Sequence, residues 1–561
     1  DPLIKFIEHF SNEKKIEEKE TLDNLPLDEK IKKLLISAQT NELLKAADEA
    51  LEVMSADKII DLLVQAMKTV GELFGEGKMQ LPFVLASAES MKKCVDYLNK
   101  FMDKKQKDKQ LTIVLGTVKG DVHDVGKNLV DIIFTNNGYK VINLGTRIEA
   151  KSFLDAAKKY NADCIGMSGL LVKSTIEMKN NIEEFEKNNL KIPVLLGGAA
   201  LNNKFVEDFC KPIYSGKVFY CKDAFDGLKA LSIIENKKLI GENKKKKIVS
   251  DKLIIKEIPQ KEIILPLVED VPKAPFYGKK VFVSKNQSNY AYIQNLAFNW
   301  INKKALFIRA WGYKKANMSQ QAYNKLIKEE IMVNFEKLKE LLIEQNIFEP
   351  FIIYGYFACR SDSIFRLQNK YTKKASLYIF DEQTSKFTQN LKFEEAKKLA
   401  KLVMDFDRVD HKPYLCLADY FRSDINDIVA FSLVSAGKKF SEFEKSLIKN
   451  GEYKKYHLVH GLGIELTESL AEIIHKHIRI ELNIAKNESK NLEDVNFSMK
   501  SYQGARYSPG YPSCPDLSLN DAIFSLLKPE EYNIKLTENH LIVPEQSTVA
   551  IIVHHSKAIY F

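Results

Sequence analysis

LTIVLGTVKGDVHDVGKN, residues 111–128, is the stretch whose reading decides the fold. Its first eight residues are a nearly continuous apolar run, the pattern of a strand buried on both faces of a parallel sheet. The run ends at Lys119 and Gly120, and a helical pattern starts around Gly126. The order strand, glycine, Asp-x-His, glycine, helix sets Asp121, Val122, His123 and Asp124 at the carboxyl edge of a sheet, where ligands of doubly wound folds bind. Asp121, two residues before the histidine, can accept a hydrogen bond from one ring nitrogen. Behind a metal-bound imidazole, such a carboxylate fixes the tautomer and raises the basicity of the ring. Gly126 removes a side chain where a bulky ligand needs close approach. Taken alone, the same letters also fit a helix-capping Asp beside an ordinary loop histidine.

Outward from this stretch the strand pattern repeats. YKVINLG (139–145), ADCIGMSGL (162–170), IPVLLGG (192–198) and KVFYC (217–221) alternate with helical stretches near 124–136, 149–159, 174–188, 203–209 and 223–236. Five strands so spaced predict an open, doubly wound α/β sheet of the flavodoxin-like type. The third strand ends in Ser168-Gly169-Leu170 with Ser174 six residues beyond Ser168, and the fourth ends in Gly197-Gly198-Ala199. These segments and the histidine loop are expected at neighbouring edges of one sheet.

Upstream, residues 28–103 read as four amphipathic helices, which predicts an antiparallel four-helix bundle, with Gly75, Gly77 and Pro82 marking the turn before the last helix. The Lys- and Asp-filled DKKQKDKQ that follows reads as a linker. Downstream, a basic run at Lys244–Lys247 and a Pro-containing stretch read as a second linker. From about 276, long helical stretches mix with strands such as FIIYGYFA and ASLYIF, the pattern of an α+β domain. The expected division is therefore 1–105, 106–238, 239–275 (linker) and 276–561.

A chain of 561 residues with 45% hydrophobic and 28% charged residues exceeds one core and has the composition of a globular multidomain protein. The net charge of +9 is the small difference between 84 basic and 75 acidic residues, scattered over helical stretches. That dispersion predicts solvated helix faces and no nucleic-acid partner, although an acidic protein partner fits equally well. The 7 cysteines are too sparse for a disulfide framework and include no C-x-x-C pair, which predicts a cytoplasmic setting. No apolar run reaches membrane-spanning length. A start at Asp1 suggests a fragment of something longer.

The 119–128 segment, with Ser168, Ser174 and Gly197-Gly198, resembles the cobalamin-binding domain shared by methionine synthase, corrinoid methyltransfer proteins and the carbon-skeleton mutases. The resemblance implies that His123 is the cobalt ligand, displacing the cofactor's own benzimidazole, with Asp121 and Ser174 as a hydrogen-bonded relay behind it. It further implies that Gly120, Val122, Asp124 and Gly126 border the cofactor, that Ser168, Gly197 and Gly198 line the slot for its nucleotide tail, and that Ala224 lies near. Val172 stands where the family commonly has a hydroxyl residue. VGELFGEGKMQLPFVLASAESMK (70–92) resembles the cap over the upper corrin face, with Phe74, Leu81 and Val84 as its covering residues. Each of the three, taken singly, also fits plain core packing.

SYQGARYSPGYPSCPD (501–516) and YLCLADYF (414–421) resemble the reactivation domain peculiar to cobalamin-dependent methionine synthase. By that resemblance Arg506 pairs with the carboxylate of S-adenosyl-L-methionine, Gly510 and Tyr511 allow close backbone approach, and Glu468 meets the ligand's positive end. Asn299 and Lys500 occupy positions where the family has acidic residues, and the final SKAIYF lacks its tyrosine pair. The architecture implied is a four-helix bundle cap, a flavodoxin-like cobalamin-binding domain and an α+β reactivation domain. The function implied is methyl transfer from methyltetrahydrofolate through methylcobalamin to homocysteine, with S-adenosylmethionine-dependent remethylation of oxidised cofactor. The partners implied are a flavodoxin-like electron donor and upstream homocysteine and methyltetrahydrofolate modules. Zinc is expected only in that upstream part, because this sequence has no cysteine cluster to bind it. A corrinoid shuttle protein for another methyltransferase would share 28–235 without needing 501–516. A cobalamin sensor would need a DNA-binding or signalling domain, and no basic helix-turn-helix signature is present.

Overall fold

The structure is a computed structural model that describes residues 25–101, 111–237, 270–316, 318–363, 373–409, 414–486, 488–495 and 502–561. The expected junction at 105/106, linker residues 239–269, Lys500 and the side chain of Val172 lie outside the described residues. Chain contacts divide the molecule into two units. The first is Asp1–Lys245 with Gly312–Gln320 and Ile448–His457, and the second is Lys246–Trp311, Gln321–Leu447 and Leu458–Phe561.

In the first unit, helices α1 (Leu27–Ile36), α2 (Thr40–Leu51), α3 (Ala56–Gly75) and α4 (Leu81–Leu98) form the bundle. Their buried residues recur at spacings of three and four: Ile31, Leu34 and Leu35 on α1, Leu43, Ala46, Ala47 and Ala50 on α2, Ile59, Leu63, Ala66, Met67 and Val70 on α3. This spacing makes one apolar stripe per helix, and the stripes meet in a single core. Pro82 sits in the first turn of α4, where its missing N–H costs no helical hydrogen bond.

The same unit holds a five-stranded sheet of β1 (Thr112–Thr117), β2 (Lys140–Asn143), β3 (Cys164–Ser168), β4 (Val194–Gly197) and β5 (Val218–Tyr220), in the order β2-β1-β3-β4-β5. Every pairing is parallel. Helices α5 (Val125–Asn136), α6 (Ala150–Lys159), α7 (Val172–Lys187) and α8 (Ala224–Lys237) connect or follow the strands. Between β4 and β5 the helical stretch 203–213 passes from one α turn through a π turn into a 3-10 turn. This is the flavodoxin-like order, and its direction reverses between β1 and β3. The loops leaving those two strands carry His123 and Ser168-Gly169.

The second unit is built on a seven-stranded, wholly antiparallel sheet. Its strands are β6 (Gly278–Val283), β7 (Phe351–Ser361), β8 (Lys374–Phe380), β9 (Leu402–Asp407), β10 (Asp427–Ser435), β11 (Ala505–Tyr507) and β12 (Ser547–Val553), ordered β11-β12-β10-β7-β8-β9 with β6 also on β7. Central strands β7 and β10 are buried along their whole length. Period-two alternation sends Phe351, Ile353, Phe357 and Cys359 into one core. Tyr354 and Tyr356, on the other face, donate from their hydroxyls to Glu481 at 3.0 and 2.8 Å. Glu481 ends helix α9 (Tyr453–Glu481), which covers that face. Among the described residues no helix is long and apolar enough to cross a membrane.

Candidate functional site

The loop after β1 is fixed before any ligand is considered. Thr117 Oγ1 donates to the His123 carbonyl at 3.0 Å, and the Arg147 amide donates to the Asp121 carbonyl at 3.1 Å. Asp121 is fully buried and collects five donors. Its Oδ1 accepts from His123 Nδ1 at 2.6 Å and from the His123 amide at 3.0 Å. Its Oδ2 accepts from Ser174 Oγ at 2.6 Å and from the amides of Leu170 and Leu171 at 2.6 and 3.4 Å.

Burial by itself would raise the Asp121 carboxyl, but the His123 and Ser174 hydrogen bonds outweigh it and hold the group at about 2. An ionised Asp121 places the ring proton of neutral His123 on Nδ1, so Nε2 carries the lone pair that a metal requires. The His123 side chain is 30% exposed while Asp121 is 0%. The imidazole is thus oriented from behind and partly exposed. Asp124, at the N-cap of α5, makes no side-chain capping bond, so neither aspartate of this loop serves as the helix cap.

Glycines clear the space around this edge. A Cβ on Gly198 would lie 2.0 Å from the Gly169 carbonyl oxygen, so the loops leaving β3 and β4 touch backbone to backbone. The Gly169 amide donates to the Gly197 carbonyl at 3.3 Å. A Cβ on Gly126 would meet nothing within 4 Å, which leaves room at the start of α5. Gly120 has a φ of +82°, a turn that other residues enter at a cost. Ser168 closes β3, and Ala224 is buried at the start of α8. An imidazole oriented through Nδ1 by Asp121, beside the open space at Gly126, fits a large metal-centred group.

The residues suggested as a cap occupy unequal places. Val84 is wholly inside the bundle core, whereas Phe74 and Leu81 pack partly buried at its margin. The Phe74 ring stacks on Phe225 with centroids 4.4 Å apart.

In the second unit Arg506 leaves β11 and is nearly enclosed. Its Nη2 donates to Glu468 and, at 2.9 Å, to Glu472. Burial would lower the guanidinium, but Glu468 and Glu472 hold it above its ordinary value. Tyr560 Oη donates to the Arg506 carbonyl at 2.5 Å. Beyond Arg506, Gly510 (φ +93°) turns the chain so that its amide reaches the Cys514 carbonyl at 2.8 Å, and Tyr511 projects 67% exposed. Arg506, Glu468 and the Gly510-Tyr511 turn therefore belong to one sheet-and-helix layer. Asn299 ends a helix, Tyr290–Asn299, and is exposed, and the hydrogen bonds of the Arg506 guanidinium go to Glu468 and Glu472 instead.

Glu472, Tyr560 and the buried His475 escape the sequence reading. Glu472 had a signal, since it follows Glu468 by four residues and shares its helix face. Burial and the neighbouring Arg479 and Arg506 hold the His475 imidazole well below its ordinary value. Tyr560 is brought to Arg506 only by tertiary folding.

Comparisons with known proteins agree with both regions. Residues 305–561 match the family described as vitamin B12 dependent methionine synthase, activation domain. Residues 111–208 and 27–99 match two families each described as B12 binding domain. The whole chain is similar to the methionine synthases of Mycobacterium tuberculosis (strain ATCC 25618 / H37Rv) and Mycobacterium leprae (strain TN), at 34% and 35% identity. It covers 48% of the length of each, so the chain spans about half of these relatives. A solved structure described as the MetH reactivation domain bound to AdoHcy is 21% identical, with a TM-score of 0.40, covering 52% of this chain and 82% of that one.

Proposed function

We propose, from the premise that this chain belongs to the cobalamin-dependent methionine synthase family and corresponds to its C-terminal half, that it binds cobalamin through His123 and remethylates the oxidised cofactor with S-adenosylmethionine. The observation that most supports this reading is the Asp121-oriented imidazole at the point where the strand order reverses. Cobalamin, when bound, supplies a cobalt that accepts and gives up a methyl group.

The chain's own residues then have these roles. His123 presents Nε2 to the metal, Asp121 keeps the ring proton on Nδ1, and Ser174 with the Leu170 amide keeps Asp121 charged. Ser168, Gly197 and Gly198 line the slot for the nucleotide tail, with Gly120, Val122, Asp124, Gly126, Val172 and Ala224 around it. Phe74, Leu81 and Val84 belong to an apolar cap that excludes water and must move for a methyl donor to enter. Arg506 takes the carboxylate of S-adenosylmethionine, Gly510 and Tyr511 give it backbone contact, Glu468 faces its cationic end, and Asn299 borders its amino group.

The complete reaction, methyl transfer from methyltetrahydrofolate to homocysteine in the cytoplasm, requires further homocysteine and methyltetrahydrofolate modules, the former with zinc. A flavodoxin-like protein supplies the electron for reactivation.

Absorption spectroscopy of the purified chain with methylcobalamin tests the first part. The expected spectrum is that of cofactor without benzimidazole on cobalt, and His123→Gly should change it. A benzimidazole-on spectrum, or one unaltered in the variant, refutes the assignment. Given a strong reductant and S-adenosylmethionine, the chain should remake methylcobalamin, and Arg506→Ala should slow this.

A further inference from the structure

The start of α5, immediately after the histidine loop, is held by polar contacts. Ile132, Ile133 and Phe134 carry the apolar burial of this helix in its later turns. Ahead of them, among the described side chains, the buried ones are Lys127 and Asn128, 2% and 8% exposed. A cation in the first turn of a helix meets the positive end of the macrodipole, and burial pushes the Lys127 ammonium below its ordinary value against the pull of Asp124 and Asp131. A charge so placed is tolerated where its hydrogen bonds are made. Lys127 Nζ donates to the side chain of Asn128 and, at 2.8 Å, to Asn143 Oδ1 at the end of β2.

Asn143 passes the connection on. Its Oδ1 also accepts from the Gly145 amide at 3.0 Å, and its Nδ2 donates to Asp131 Oδ2 at 2.7 Å. The Gly145 carbonyl accepts from the Thr117 amide at 3.0 Å, and Thr117 Oγ1 donates to the His123 carbonyl. These bonds close a ring from α5 through the ends of β2 and β1 back to the histidine loop. We infer that Lys127 is a positioning residue for His123: its buried ammonium locks the first turn of α5 to the end of β2 and so holds the imidazole where a cobalt can be ligated. The inference rests on reading His123 as the cobalt ligand. A metal-binding side chain must be held to within about 0.5 Å, and a first turn without apolar packing gains that precision from the ring.

Absorption titration of the whole chain with methylcobalamin, for the wild type, Lys127→Met and Asn143→Ala, tests this. Methionine keeps the length of the lysine without its donors, and Asn143 is exposed, so its truncation spares the core. Each variant should bind about tenfold more weakly, the scale of one hydrogen bond to a charged group. At saturation each should show a mixture of histidine-ligated and histidine-free cofactor, where the wild type shows the ligated form alone. The double variant should be little worse than either single one, because both break the same ring. Loss of stability in urea with wild-type affinity and spectrum marks a purely structural lysine and overturns the inference. Weaker binding with a fully histidine-ligated spectrum, or fully additive losses, overturns it too, and in each of these cases the reading of His123 stands. Should Lys127→Met not fold, Asn143→Ala decides by the same affinity and spectrum. A wild type that binds the cofactor with benzimidazole on cobalt removes the reading of His123, and the inference with it.

Discussion

Asp121 and Arg506 are both buried charges beside a candidate ligand, and they are satisfied in opposite ways. Asp121 receives five donors, all from residues 123–174 of its own unit, and every one favours its ionised form. Arg506 shares one nitrogen between two carboxylates while its Nε has no acceptor. The first arrangement is complete without a ligand and serves to aim His123. The second retains hydrogen-bonding capacity, which suits a group that must exchange one carboxylate for another. Preorganisation in the one and exchangeability in the other are what the proposed roles, holding a resident cofactor and a transient methyl donor, would require.

The sharpest way to break this contrast is to remove the saturated charge. Asp121→Ala leaves Ser174, the His123 ring and three amides without their acceptor, and the loss of stability in urea unfolding should be about 3 kcal/mol. The pH dependence has a defined sign. With its folded value depressed to about 2, Asp121 contributes stability that is fully present above its unfolded value, ~4, and that is lost as pH falls from there toward 2. A wild-type chain whose acid unfolding matches that of the variant would remove this account.

Next in size is Gly198→Ala, whose new carbon would sit 2.0 Å from the Gly169 carbonyl oxygen. The two loops must separate, and destabilisation of about 2 kcal/mol, with weakened cobalamin retention on gel filtration, is the expected result. Arg506→Ala should leave thermal unfolding less affected but weaken S-adenosylmethionine binding by about tenfold to a hundredfold in calorimetry. Retained affinity would show that the exchangeable charge is not the ligand's partner.

The smallest effect concerns Glu465. Its folded value is raised to about 7, so the folded state holds a proton that the unfolded chain releases at lower pH. Stability is therefore lost as pH rises from the unfolded value toward 7. Glu465→Gln should match the wild type near pH 4 and exceed its melting temperature slightly at pH 8.

That Asp121, His123 and Ser174 come together was legible because their segments are compact in sequence. Asp121 and His123 are two residues apart, and strand periodicity alone puts them at the same sheet edge as Ser168, Ser174 and Gly197-Gly198. The Arg506 cluster was only half legible. Its partners lie on residues 468, 472 and 560, and no local pattern ties a β11 arginine to one face of a distant helix or to Tyr560. The π turns at Val206–Cys210 and Ile327–Ile331 were likewise unreadable, since apolar periodicity cannot tell a π turn from an α turn.

The sequence by itself determined the helical bundle, the alternating parallel sheet and the position of the histidine loop at the sheet edge, because these follow from short-range periodicity and glycine placement. Only the tertiary structure decided that Asp121 is charged and saturated, that Val84 is enclosed in the bundle core, and that Arg506 faces two carboxylates. Charge state and pairing depend on burial and on atoms brought together across long stretches of chain, which no local pattern encodes.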